Sequence, residues 1–217
     1  MDVSQALQER KSIRQFLSTP ISDETLRELL TAAARAPSGG NLQPWRIFVI
    51  NGPAMVRFRK HVAAHTKPEI PAYPIYPKVL KEPYRSSRYK VGEDMYALLD
   101  IAREDKAARF AHLARNFDFF GAPSAFFCFV DRQMGPPQWS DLGMFLQSFM
   151  LLAKSHGLDT CAQEAWATKP ETVTSFVKAP EELMLFCGMA IGHADPAAKV
   201  NSLVSDREPT DEWATFL

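Results

Sequence analysis

Cysteine is scarce in this chain and does not pair up: Cys128, Cys161 and Cys187 are widely spaced and sit mostly in apolar stretches. An odd number with no Cys-x-x-Cys argues against a disulfide framework and fits a reducing compartment. An excess of one charge is missing too. Lys plus Arg and Asp plus Glu both number 25, so the formal net charge is zero, and nothing draws the chain to nucleic acid or an anionic membrane. No stretch approaches the ~18 uninterrupted apolar residues of a membrane span. The start, Met1-Asp2-Val3-Ser4-Gln5, lacks the basic opening and apolar core of a signal peptide. The expectation is a soluble, cytoplasmic protein.

Four signature motifs are absent as well. There is no Gly-x-Gly-x-x-Gly and no Gly-x-x-x-x-Gly-Lys-Ser/Thr, so no glycine-rich cradle for a phosphate. Without a Gly-x-Ser-x-Gly elbow, a serine hydrolase has no support. His61 and His65 stand four apart on a predicted helix, but Val62 occupies the position a metalloprotease motif gives to Glu. No third ligand is evident, and no metal is expected.

What is present describes one ordinary globular domain over residues 1–217, with 46% hydrophobic residues and 16 prolines. Val3 to Arg10 reads as a first helix. Ser22 caps a second, in which Leu26, Leu29, Leu30 and Ala33 recur at helical spacing until Pro37. Trp45 to Ile50 is β-rich, Pro53 to His65 is helical, and residues 67–92 carry five prolines among tyrosines and basic residues. A long irregular stretch in a compact domain is usually a functional cover, so 67–92 is expected to be a lid or insertion. Helices follow at 93–101 and 104–119, then strands at 124–130, 159–166 and 183–191. The helix at 139–156 has almost no polar face and must be buried all round, centrally or in a dimer interface. Beyond Ala194 runs an extended arm, 194–217. The sum is a mixed α+β domain with helices flanking a modest sheet.

Three segments offer chemistry. Arg10, Lys11, Ser12 and Arg14, with Arg207 near the other end, supply guanidinium forks and a hydroxyl suited to a phosphate. On these residues alone, a solvated basic turn is the alternative. Pro37, Ser38, Gly39, Gly40 and Asn41 offer small polar groups against which a flat ring could lie, or simply stop a helix before a strand. Around Gln163 and Glu164, a main-chain N–H could face the redox-active N5 of a flavin; a strand with a polar edge serves equally. The first two features together point to flavin mononucleotide, FMN, and to redox chemistry.

In order, Arg10-Lys11-Ser12-Ile13-Arg14-Gln15-Phe16, Ala36 to Trp45, Trp139-Ser140-Asp141-Leu142-Gly143 with Gln147, Gly157 to Trp166, and Asn201 to Pro209 resemble the FMN-dependent nitroreductase family over nearly the whole chain. Gly-Gly-Asn-Leu-Gln-Pro-Trp and the Pro/Tyr-rich insertion are similar to its nitrobenzoate-type members. The resemblance implies a nitroreductase-like α+β fold, with a central mixed or antiparallel sheet and a domain-swapped tail in a homodimer. It implies FMN as cofactor, NADH or NADPH as donor, and a small nitroaromatic or quinone-type acceptor reduced by ping-pong transfer. On that pattern Arg10, Lys11, Ser12, Arg14 and Arg207 hold the phosphate and ribityl chain, and Pro37, Ser38 and Asn41 reach the flavin from the other subunit. Gln163 and Glu164 lie along the ring, and the apolar helix at 142–153 forms much of the dimer core. No side chain acts as an essential acid or base, because the chemistry is at FMN N5. Ala162 and Ala165 depart from the Pro and Gly often found there, and Ser205 replaces a lysine of some members. The same scaffold also carries reductive dehalogenases and flavin-fragmenting enzymes; a non-catalytic flavin-binding protein is the remaining alternative.

Overall fold

Period-two alternation decides the centre of the molecule. In β2 (Ser124–Asp131), Ala125, Phe127 and Phe129 join one apolar cluster while Phe126, Cys128 and Val130 join another, and all are fully buried. A strand that is apolar on both faces has to be covered on both. A computed structural model describing residues 1–217 shows how this is met. β2 pairs with β1 (Arg46–Asn51) and β4 (Leu183–Gly192), and β4 with β3 (Asp159–Gln163), giving a four-stranded antiparallel sheet of order β1-β2-β4-β3. One face is covered by α3 (Pro53–Ala64), α7 (Pro170–Val177) and the tight turns around Phe119, Phe120 and Trp166. The other is covered by α2 (Asp23–Ala33) and α6 (Pro136–Ser155). α1 (Val3–Glu9), α4 (Tyr84–Leu98) and α5 (Lys106–Ala114) complete the chain.

The expected caps and stops are present. Ser22 accepts from the Thr25 N–H at 3.0 Å and opens α2. α6 departs from expectation in one respect. Leu142, Phe145, Leu146, Phe149 and Ala153 face the sheet of their own chain, while Gly143 and Met144 are exposed. Phe149, wholly buried edge-to-face on Phe126, is therefore core of this chain, not interface.

The 67–92 region also differs. α4 begins inside it at Tyr84 and runs to Leu98, and the predicted helix over 104–119 is α5 plus a 3-10 stretch, Arg115–Gly121. Residues 67–73 are tied down: the Glu69 carboxylate accepts from the N–H groups of Glu171 (2.6 Å) and Thr172 (3.1 Å), and the Ala72 N–H donates to the Ala167 carbonyl at 2.8 Å. Glu69 thus satisfies the orphan donors at the start of α7. That cap comes from about a hundred residues away, so sequence reading missed α7.

β4 contains a bulge. Cys187 pairs with Cys128 and Leu185 with Phe129, which leaves Phe186 without a partner on β2. The extra residue inverts the alternation, so Leu183 and Leu185 belong to one face but Cys187, Met189 and Ile191 to the other. Pairing with β3 reaches only to Gly188, and the Phe186 carbonyl accepts instead from the Tyr73 hydroxyl.

Gly188 is a place where only glycine fits. A Cβ there would lie 2.3 Å from Cδ1 of Trp166. That indole is wholly buried and packed among Phe58, Phe117, Phe119 and Phe127. Gly188→Ala should therefore cost about 1–3 kcal/mol through overpacking, read as a lower urea midpoint; an unchanged midpoint would mean that Trp166 moves freely.

Candidate functional site

The N-terminal segment after α1 runs beside the edge of β3. Ser12 forms a parallel bridge with Thr160, and the Ile13 N–H donates to the Thr160 carbonyl at 3.0 Å. Asn201, buried in the arm that follows β4, stitches this segment in place. Its Oδ1 accepts from the Arg14 N–H at 2.9 Å, and its Nδ2 donates to the carbonyls of Gln15 (2.7 Å) and Asp195 (3.0 Å). Every polar atom of the Asn201 side chain is thus committed to joining one end of the chain to the other.

The stitch creates a cavity of about 340 Å³ in which Arg10, Lys11, Ser12 and Arg14 meet Ser205 and Arg207. None of these cations has a carboxylate partner within 4 Å. Arg10 is held below its ordinary pKa, by burial first and then by the adjacent Arg207. Two guanidiniums facing each other without a counter-ion make a site that an anion would complete. Arg207 is pre-set by its own neighbours: Nη1 donates to the Ser205 hydroxyl at 2.8 Å and the Asp206 carbonyl at 2.7 Å. The residues present therefore suit the phosphate of FMN.

The other expected site residues lie elsewhere in the chain. Ser38 and Gly39 hang on the buried carboxylate of Asp141 in α6, at 3.1 and 3.2 Å. The Ser38 hydroxyl also accepts from the Gln43 N–H at 2.9 Å, so it donates to α6 and accepts within the loop. Gly40 takes a left-handed φ of 60° and Asn41 one of 56°, and Pro37 and Asn41 remain exposed. Gln163 is buried, with its Nε2 donating to the Asn116 carbonyl (2.9 Å) and Oδ1 (3.1 Å), while its Oε1 is buried without a partner. Glu164 follows at the end of β3, its carboxyl pushed up by burial. Asp141 and Asn201 are the supports that motif reading passed over. Both stand inside quoted motifs, but their roles depend on partners more than a hundred residues away.

Behind Arg14 lies His112, buried on α5 between Tyr96 and Phe120, its Nε2 without a partner. Burial, then Arg115 and Arg14, lower its pKa to about 4.

These features define an α+β protein with a cation-lined pocket built from residues near both ends of its chain. Comparison with known proteins gives the class its name. A model of the Nitroreductase family matches residues 7–193, and the chain belongs to that family. It is 36% identical to a 4-nitrobenzoate reductase of Pseudomonas putida over 217 residues, covering all of this chain and 96% of that protein. It is 33% identical to a nitrobenzene nitroreductase of Ectopseudomonas oleovorans, over 99% and 96% of the two chains. Among solved structures it is similar to the FMN- and NADPH-dependent nitroreductase NfnB of sphigopyxis sp. strain HMH, with 43% identity, TM-score 0.96 and coverage of 100% and 99%. NfnB of Mycobacterium smegmatis, solved with NADPH, gives 26% identity and TM-score 0.91, with both chains fully covered. No helix is long and apolar enough to cross a membrane.

The His112 environment yields a pH prediction. The unfolded chain takes up the imidazole proton below about pH 6.5, whereas the folded chain resists to about pH 4. The stability contributed by neutral His112 is present above pH 6.5 and lost as pH falls through that window, by up to about 3 kcal/mol. Urea midpoints measured from pH 7 to 4.5 should fall more steeply in the wild type than in His112→Leu. Parallel curves would assign the acid sensitivity to other groups.

Proposed function

We propose that this chain acts as a homodimeric FMN oxidoreductase that uses NADH or NADPH to reduce nitroaromatic or quinone-type acceptors in a ping-pong cycle. The observation that carries the reading is the cavity of unpaired cations at the meeting of the two chain ends, in a member of a family whose relatives are FMN-dependent. When bound, FMN supplies the redox chemistry, taking reducing equivalents from the nicotinamide and passing them to the acceptor.

The chain's own residues bind and orient. Arg10, Lys11, Arg14 and Arg207 hold the phosphate, and Ser12 completes its shell. Each charge-assisted bond contributes roughly 1.5–3 kcal/mol. The buried anchoring of Gln163 on Asn116 turns its side chain away and presents the main chain of residues 163–164 to the ring. Pro37, Ser38 and Asn41 serve the flavin of a second copy, through a loop that Asp141 keeps rigid. No side chain is assigned as an essential acid or base. Residues 67–92 shape the choice of acceptor, fastened at one end by Glu69 and Tyr73 and at the other by the start of α4, where Lys90 pairs with Asp206.

The dimer has its own support. Val3, Leu7, Phe110, Met144, Val204 and Phe216 are apolar and between 37% and 84% exposed, side chains that a second subunit would cover. The outer face of α6, around Gly143 and Met144, is the proposed contact, and the 194–217 arm wraps the second subunit.

Two experiments test the reading. Arg207→Ala should leave the fold intact and weaken FMN by about ten- to hundredfold, so that the protein purifies largely colourless. Full yellow occupancy would remove Arg207 from the phosphate site. Met144→Asp places a charge on the outer face of α6, at a cost of several kcal/mol if that face is buried in a dimer. The variant should elute as a monomer in size-exclusion chromatography with little flavin, and a stable dimer would put the interface elsewhere.

A further inference from the structure

The arm that carries Arg207 is held in two different ways along its length. As far as Leu203 it lies against α4 in an apolar seam. Val91, Met95 and Leu98 recur there at helical spacing and form one cluster with Tyr96, Val200 and Leu203. Lys199 adds an ion pair to Asp100, just past the end of that helix, at 2.7 Å. Beyond Leu203 the seam stops, and Val204 is 76% exposed.

From Val204 to Pro209 a single polar contact joins the arm to the rest of the fold: Lys90 of α4 reaches the Asp206 carboxylate at 2.8 Å. Asp94, one turn further along the helix, holds the same ammonium at 2.7 Å. No main-chain N–H of residues 204–208 donates to another main-chain group. The bonds of the Arg207 guanidinium all go to Ser205 and Asp206, its own predecessors. Arg207 is therefore fixed relative to residues 205–206, and those residues meet the body of the protein, in polar terms, through Lys90 alone.

Resting on the reading of the cationic cavity as the FMN phosphate site, we infer that Lys90 is a positioning residue for that site: by gripping Asp206 it sets where Arg207 presents its guanidinium. Asp94 pre-orients the lysine, since residues four apart share one face of a helix. Charge alone gives the opposite expectation for Asp206. A carboxylate beside Arg207 repels a dianionic phosphate, so on electrostatics its removal tightens the cofactor. On a positioning role its removal weakens the cofactor, because Arg207 is then free to sample orientations outside the cavity, and fixing it again costs entropy. The two readings differ in sign. Riboflavin, which lacks the phosphate, separates positioning from a general loosening of the fold: loosening weakens both flavins, whereas a misplaced phosphate ligand affects FMN only.

The test strips flavin from the full-length protein and titrates FMN and riboflavin back at fixed ionic strength, reading flavin fluorescence, so that it does not depend on turnover. An exposed ion pair is a modest contact, so Asp206→Ala should weaken FMN by about two- to fivefold and leave riboflavin as in the wild type. Lys90→Met should also weaken FMN and spare riboflavin. The double variant Lys90→Met/Asp206→Ala should bind FMN no more weakly than Lys90→Met, as expected of two partners in one contact. Tighter or unchanged FMN binding in Asp206→Ala would overturn the inference. So would equal losses of FMN and riboflavin, or losses that add in the double variant. Failure of the phosphate reading looks different: Arg207→Ala would then bind FMN as the wild type does.

Discussion

The buried amide of Asn201 is the joint on which the proposed site depends. It spends its acceptor on the Arg14 N–H and its donors on Gln15 and Asp195, so the arm after β4 cannot leave without stranding polar groups of the N-terminal segment. Because that segment is also bridged to Thr160, three parts of the chain are locked to one another. The cations near each end become neighbours as a result, and Arg10 is held below its ordinary pKa by burial first and then by repulsion from Arg207. A fold without a glycine-rich loop gathers cations into one pocket by this route, with side chains placed where other folds use backbone amides.

The same principle, distant residues satisfying local needs, recurs around the sheet. The bulge at Phe186 reverses the facing of β4 and frees a carbonyl that Tyr73 takes up. Glu69 caps a helix formed a hundred residues later. Asp141 holds the Ser38 loop from the far side of the sequence. Each contact links the irregular 67–83 stretch or the 37–41 loop to the rigid layers, so the flexible-looking segments are fastened at chosen points.

This pattern explains which parts were legible beforehand. Strands with period-two apolar runs, such as Ser124–Asp131, and helices with a cap in the adjacent sequence, such as the one after Ser22, announce themselves locally. The cluster of Arg10, Lys11, Ser12 and Arg14 was visible for the same reason, and Arg207 stood out as a further guanidinium near the other end of the chain. The helix at Pro170–Val177 was not, because its composition is β-branched and its cap is remote. Nor was the orientation of Phe149 readable: an all-apolar helix looks alike whether it is covered by its own sheet or by another chain, and only the sheet's two-sided demand for cover decided it. The side chain of Gln163 turned inward for a reason, Asn116, that no nearby residue hints at.

Joining residue 10 to residue 207 also has a consequence for biosynthesis. A ribosome releases the basic N-terminal segment long before it makes its counterpart, and loops closing nearly the whole polypeptide are among the last contacts a chain forms. Until then the early arginines have no fixed geometry. Prosthetic-group capture would belong to the final stage of maturation, after translation is nearly finished, and a nascent chain stalled short of position 207 would be assembled in its core yet empty-handed.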